Sequence, residues 1–355
     1  MPTKELWILG SPFPTQSARA AEQAEADGFH GILFPDSQGI TGDPYVAMAI
    51  AAHVTDRIQL GTGVTNPYTR HPAVAACAVA SIQAESGGRA VLGIGRGNSA
   101  LAFLGLAPVP LGMFERYLAR VQGYLRGDGV EMDRAADGMR SSESLALGTA
   151  PPASRLQWLP GAEPKVPVDV AATGPKVIDL AARLGDRISF TVGGEEERIR
   201  WAAETARAAR REAGLDPDEL SLGCFVNIVA HPDIHTARDL VSGFVTVMSR
   251  YAVLHGEATG PLSDENKKVL HNIRDSYDMT KHTRAGTTQA SVLTDDFIDS
   301  YAVVGPPKDC VARLEALFAC GLDRIILIHG SPGADEAELA KARRYLVEEV
   351  VPALG

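Results

Sequence analysis

Residues 59–72 read QLGTGVTNPYTRHP, a strand ending that runs into a turn and then into a helix start. Ile58, Leu60, Thr62 and Val64 alternate as one buried face, Asn66-Pro67 stops the strand, and His71-Pro72 opens the next helix. A parallel α/β protein keeps its site at such junctions. Glycine at 61 and 63 lets a flat ligand lie close to the backbone, although the residues alone equally allow a plain strand-end turn.

Working outward, strand-like segments at 6–10, 31–35, 57–64, 89–95, 168–172, 187–192, 222–230 and 324–329 alternate with helical spacing. The helical segments are 16–27, 44–54, 73–85, 113–126, 175–184, 195–213, 234–254, 308–318 and a last one at 336–351. That alternation predicts a closed parallel sheet with crossover helices, a (β/α)8 TIM barrel, read here as a single domain over 1–355. Two stretches exceed a minimal barrel and are read as insertions, at about 127–167 and 255–300. The first is rich in Gly, Pro and Ser and is expected to include a small hairpin; the second is polar and interrupted. Loops of that length serve as lids or oligomer contacts.

Composition narrows the function classes. A net charge of -10 excludes a basic groove for nucleic acid, and the Arg-rich helix at 195–213 interleaves its arginines with glutamates as a solvated face would. No apolar run is long enough to span a bilayer, and residues 1–10 lack a basic n-region, so a cytoplasmic location is expected. Cys77, Cys224, Cys310 and Cys320 are scattered without CxxC or paired His, which predicts reduced packing residues and no metal site.

In a TIM barrel the residues just after each strand face the ligand. Those ends supply Asp36-Ser37, then Thr62 to Asn66, then Gly95-Arg96-Gly97-Asn98. They continue with Ala172-Thr173-Gly174-Pro175-Lys176, Gly193-Gly194 and finally His329. Thr173 to Lys176 puts Gly at a strand end and Pro in the first helical turn, leaving backbone N–H groups, a positive dipole end and a lysine for a phosphate. An ordinary helix start has the same letters. Gly193-Gly194 is similar, but Glu195 to Glu197 behind it would repel an anion. Gly93 to Gly97, GIGRG, lacks the spacing of a dinucleotide fingerprint and reads better as a strand end. Arg96 can face a phosphate and Asn98 a ring edge, or either can cap its own loop. Asp36, a carboxylate straight after an apolar strand, is the candidate catalytic residue or a turn carboxylate. His71 is read as ordering a helix start, and His329 as a candidate substrate contact.

GTGVTNPYTRHP resembles the luciferase-like flavin and deazaflavin oxidoreductases, closest to the branch of coenzyme F420-dependent methylenetetrahydromethanopterin reductase. Residues 86–99 (SGGRAVLGIGRGNS), 171–176 (AATGPK) and 301–317 (YAVVGPPKDCVARLEAL) extend the likeness. The resemblance implies coenzyme F420 at the barrel mouth and hydride exchange between its C5 and a C=C, C=N or C=O substrate. It also implies a cis Gly63-Val64 bond behind the deazaflavin ring, a homodimer, and cofactor contacts at the strand ends named above. Many relatives carry Asp-His where this chain has Asp36-Ser37, so an imidazole acid or base is absent there. Two other readings stay open: an FMN-dependent monooxygenase fed by a separate reductase, and a non-catalytic flavin-binding protein.

Overall fold

The computed structural model describes residues 4–134, 140–159, 164–254 and 256–355. Its strands are β1 (Glu5–Leu9), β2 (Gly31–Phe34), β3 (Gln59–Thr62), β4 (Ala90–Ile94), β5 (Val168–Ala172), β6 (Arg187–Phe190), β7 (Ser221–Ala230), β8 (Val303–Gly305) and β9 (Arg324–His329). All pairings are parallel, and the sheet closes through β6 to β7, β7 to β9 and β9 to β1. Eight strands therefore make the barrel at the places expected from sequence, with β2, β4 and β6 one or two residues shorter and β3 half the expected length. β8 is the addition: it pairs only with Ile228–Ala230, the upper end of β7, on the edge that the four-residue β6 has left.

Side chains alternate between an outer core and the barrel lumen. Ile32, Leu60, Leu92, Val170, Ile188, Val226 and Leu327 pack outward under the helices, while Trp7, Leu33, Val91, Phe225 and Ile326 fill the lumen. The lumen is crowded enough that Gly93 is required sterically: a Cβ there would lie 2.0 Å from the Thr62 carbonyl oxygen. At the N-terminal floor the lumen is charged. Arg324 and Asp169 form an ion pair of 3.1 Å with side chains only 1% and 5% exposed. Ser189 donates to the same carboxylate at 2.8 Å, and the Arg187 and Arg324 guanidinium groups lie 5.8 and 5.9 Å from the Trp7 ring centroid.

Ring helices start where the sequence caps them. Asp43 accepts from the Tyr45 and Val46 amides ahead of Pro44–Val54, and His71 Nδ1 accepts from Ala73 ahead of Pro72–Glu85. The helix Pro307–Ala319 packs beside Glu196–Glu212 and the C-terminal segment, and so holds the ring position ahead of β9. This corrects the placement of the helix at 234–254 as a ring member. Ile234–Arg250 instead packs on β7, β8 and the helices Asp264–Ser276, Asp295–Tyr301 and Glu336–Tyr345, sharing one apolar cluster with the lumen residues. The excursion from the barrel begins directly after β7 and ends at β8, and it forms a cap at the C-terminal end of the lumen. Gly243 lets the cap helix meet the loop at Thr283, whose carbonyl oxygen would be 2.2 Å from a Cβ at that position. In the first insertion the expected hairpin reduces to one antiparallel bridge, Val130 to Ser154; 135–139 and 160–163 lie outside the described residues. No helix among the described residues is long and apolar enough to cross a membrane.

The floor ion pair yields a stability prediction. Arg324→Met leaves Asp169 buried without its main partner and is expected to cost about 3–5 kcal/mol, whereas Arg324→Met with Asp169→Asn recovers most of it. Urea unfolding of the two variants measures this; equal losses would show that the pair acts through packing alone.

Candidate active site at the barrel mouth

The mouth is built from the strand ends that the alternation turns inward. Leu9, Val64 and Ala171 are partly buried apolar side chains packed on the lumen cluster, and the Gly63–Val64 peptide bond is cis and non-prolyl. Above this apolar surface stand polar groups without partners. Among the described residues the Nδ2 atoms of Asn66, Asn98 and Asn227 are buried and make no hydrogen bond. Such groups cost free energy unless something accepts from them. Asn66 Oδ1 is occupied by the Tyr68 and Thr69 amides at 3.0 and 3.1 Å, which fixes the amide end. Asn227 faces the lumen by strand alternation with Phe225 and Val229, in register with Ile328.

The other strand-end residues divide between mouth and scaffold. Thr62 turns outward and donates to the Gly93 carbonyl at 2.6 Å, locking β3 to β4. Gly95 lies beside Val64, and Arg96 donates through Nε to the Val109 carbonyl at 2.8 Å, with burial lowering its pKa. Gly97, at φ +83°, turns the chain so that Asn98 Oδ1 meets Arg250 Nη1 at 3.4 Å. The Tyr251 hydroxyl comes near Asn98 without closing a hydrogen bond of ordinary geometry. Ala172 is in the outer core, while the Thr173 and Thr191 hydroxyls meet across β5 and β6. Gly174 is the N-cap of Pro175–Leu184 with no side chain closing it, and Lys176 is exposed in its first turn.

Two strand ends behave differently. Gly194 donates its N–H to the Tyr301 carbonyl at 2.7 Å and accepts from Arg313 Nη2 at 3.1 Å, so the Gly193-Gly194 turn is tied to the cap. The hollow of 420 Å³ outside it is lined by Glu195, Glu196 and Glu197 with Arg200 and Arg313, and burial raises the Glu195 pKa. His329 shares the outward side of β9 with Ile325 and Leu327, beneath the helix Glu336–Tyr345, and is not brought to the mouth.

Asp36 is buried and its Oδ2 accepts from Thr65 Oγ1 and Arg70 Nη1, each at 2.6 Å. Arg70 also pairs with Asp43 and lies 4.5 Å from the Tyr45 ring centroid. This network binds the loops after β2 and β3 to one another. Ser37 and Ser99 hydroxyls meet at 3.0 Å, continuing the link to the β4 end. His71 caps its helix and meets Asp133 at 2.6 Å through Nε2, as the helix-ordering reading expects.

Sequence reasoning did not single out Thr65, Arg70, Thr191, Asn227, Arg250, Tyr277 or His282. Asn227 carried a signal, being the lone amide in the apolar strand CFVNIVA. The cap residues carried none, because their position depends on where the excursion folds back. The four cysteines are free, and no metal-binding cluster occurs among the described residues.

A family model described as luciferase-like monooxygenase matches residues 8–324. The 5,10-methylenetetrahydromethanopterin reductase of Methanolobus tindarius is 28% identical over 339 residues, covering 94% of this chain and 95% of that protein. The enzyme of the same name from Archaeoglobus fulgidus is 29% identical over 337 residues, 93% of each chain. Among solved structures, the coenzyme F420-dependent tetrahydromethanopterin reductase from Methanopyrus kandleri superposes with a TM-score of 0.74 at 23% identity, covering 99% and 100% of the two chains, which is a likeness of fold.

Burial pushes both His329 and His282 down to about 4. Each is neutral in the folded protein at pH 6 but takes a proton near 6.5 once unfolded. Their stabilisation is complete above pH 6.5 and declines as pH falls towards 4, by roughly 3 kcal/mol per group at full loss. His329→Leu is therefore expected to flatten the dependence of urea midpoint on pH between 6.5 and 4. An unchanged slope would place the acid sensitivity elsewhere.

Proposed function

The chain belongs to the luciferase-like monooxygenase family, and we propose that within it this protein is a coenzyme F420-dependent oxidoreductase acting on a small organic substrate. The observation that carries this reading is the near full-length similarity to methylenetetrahydromethanopterin reductases. The mouth fits the cofactor. Val64, Leu9 and Ala171 offer an apolar seat for a flat ring, and the orphaned Nδ2 atoms of Asn66 and Asn227 are donors awaiting oxygens at its edges. Thr173, Gly174, Pro175 and Lys176 suit the phosphate-bearing tail. Bound there, coenzyme F420 supplies hydride exchange at its C5.

The protein's own contribution is orientation and exclusion of water. The cap closes over the lumen, and the glycine-rich ends of β3 and β4 keep the mouth open. Asp36, already accepting from Thr65 and Arg70, serves as a positioning group that holds the strand-end loops, so the proton for the substrate comes through solvent or the substrate itself. The family description itself favours a second reading, an FMN-dependent monooxygenase supplied with reduced flavin by a separate reductase.

A homodimer working in the cytoplasm completes the proposal. Val46, Ile50 and Val54 recur at four-residue spacing on Pro44–Val54 and are 60%, 41% and 36% exposed, with Val74 at 55% on the next helix. An apolar stripe of that kind on a ring helix suits a second copy of the chain. Ile50→Arg is expected to convert a dimer to a monomer in sedimentation analysis, and an already monomeric wild type would refute the interface.

Fluorescence titration tests the cofactor. Coenzyme F420 is expected to bind at least about tenfold more tightly than FMN, and Asn227→Leu to weaken it about tenfold by removing a buried donor. Preference for FMN would move the assignment to the monooxygenase reading.

A further inference from the structure

Arg250, the last residue of the long cap helix, stands beside Asn98 at the end of β4. Its guanidinium is mostly buried, lies 4.1 Å from the centroid of the Tyr277 ring, and gives one Nη1 hydrogen to Asn98 Oδ1 at 3.4 Å. Among the described residues it has no carboxylate within 4.0 Å, and the charged or polar groups around it are tyrosines and the neutral His282. His282 Nδ1 is itself engaged by the Tyr277 hydroxyl at 2.6 Å. Other cap and floor arginines find different partners: Arg238 pairs with Asp295 and Asp299, Arg324 with Asp169, Arg198 with the carbonyls of Val192, Thr259 and Pro261, and Arg187 with Gln59 Oε1 through both Nη atoms. Arg250 stacks on Tyr277 and, among the described residues, its Nε and Nη2 make no hydrogen bond.

A guanidinium tied through Nη1 and stacked on a ring has its orientation fixed, and its Nε–Nη2 edge presents two parallel N–H donors. That fork matches a two-oxygen anion. Beside it the buried Asn98 Nδ2 supplies a further unused donor. A desolvated cation without a counter-charge is unfavourable in the empty protein, and the deficit is removed when an anion arrives.

We propose that Arg250, with Asn98, binds an anionic oxygen group, a carboxylate or phosphate, on the substrate. The assignment rests on the oxidoreductase reading for the word substrate but not for the anion site itself. The same chemistry is carried by the cofactor's phosphate-bearing tail. We assign Arg250 to the substrate because Lys176 and the helix start after β5 already suit that tail, whereas Arg250 descends from the cap onto the end of β4.

The test uses inorganic phosphate and acetate as probes at constant ionic strength, reading the rise in Tm with anion concentration for the wild type, Arg250→Met and Arg250→Lys. The wild type is expected to respond saturably, Arg250→Met to lose about tenfold or more in apparent affinity, and Arg250→Lys to fall between, keeping charge without the fork. Coenzyme F420 titrations of the same variants are expected to agree within about twofold. A wild type without a saturable response, or an Arg250→Met response equal to it, overturns the site. Parallel loss of F420 affinity in Arg250→Met would give the fork to the cofactor tail and overturn the substrate assignment. If the wild type binds no F420 while the Arg250-dependent anion response holds, the oxidoreductase reading fails and the anion site stands.

Discussion

A ten-residue strand cannot be satisfied by a four-residue neighbour, and the rest of the molecule is arranged around that mismatch. β7 spans Ser221–Ala230, β6 only Arg187–Phe190, and the ladder between them ends at Cys224. Beyond that point one edge of β7 would be left with unpaired N–H and C=O groups in a buried setting. β8 covers it over three residues, the His231 amide extends the ladder to Gly305, and the Gly194 amide joins the chain at Tyr301 just before β8. The excursion between β7 and β8 is thereby held at both ends by main-chain hydrogen bonds. Arg198 adds side-chain bonds to Thr259 and Pro261, so the middle of the excursion is tied to the end of β6 as well.

The two ends of the lumen are electrostatically opposite. At the floor, Arg324, Asp169 and Ser189 form one buried network beside the Trp7 ring. At the mouth, among the described residues, three asparagine amides lack partners and Arg250 has no carboxylate. The floor carries its own counter-charge, the Arg324–Asp169 pair, so it needs no outside ion. A mouth with surplus donors is finished only by an oxygen-rich ligand, and that is the physical sense in which the C-terminal end of the barrel is its functional end.

The barrel was legible because its signals are local. Period-two alternation ended by Gly, Asn or Pro marks 31–35, 57–64 and 168–172, and the expected cis bond at Gly63–Val64 followed from the wording of that strand in relatives. The cap was misplaced because Ile234–Arg250 has the composition of any amphipathic ring helix, and only the short β8 reveals that the chain has not yet returned to the barrel. VVG at 303–305 is too short to stand out as a strand. The site shows the same division. Glycines, Thr173 and Asn98 sit beside strand ends and could be listed from sequence, whereas Asp36 proved to be tied to Arg70, 34 positions away, and Arg250 reaches Asn98 across 152 positions.

The double attachment of the excursion separates two histories within one chain. Closure of the barrel depends on β6 pairing with Ser221–Cys224 and β9 with Gly223–Ile228, and neither pairing involves a residue between His231 and Ala302. The intervening seventy or so residues, by order of magnitude, add to the mouth without adding to the ring, and long loops are tolerated at little entropic cost. That segment behaves as an interchangeable head on a standard shaft: substitutions within it change what the mouth admits without touching the pairings that close the barrel.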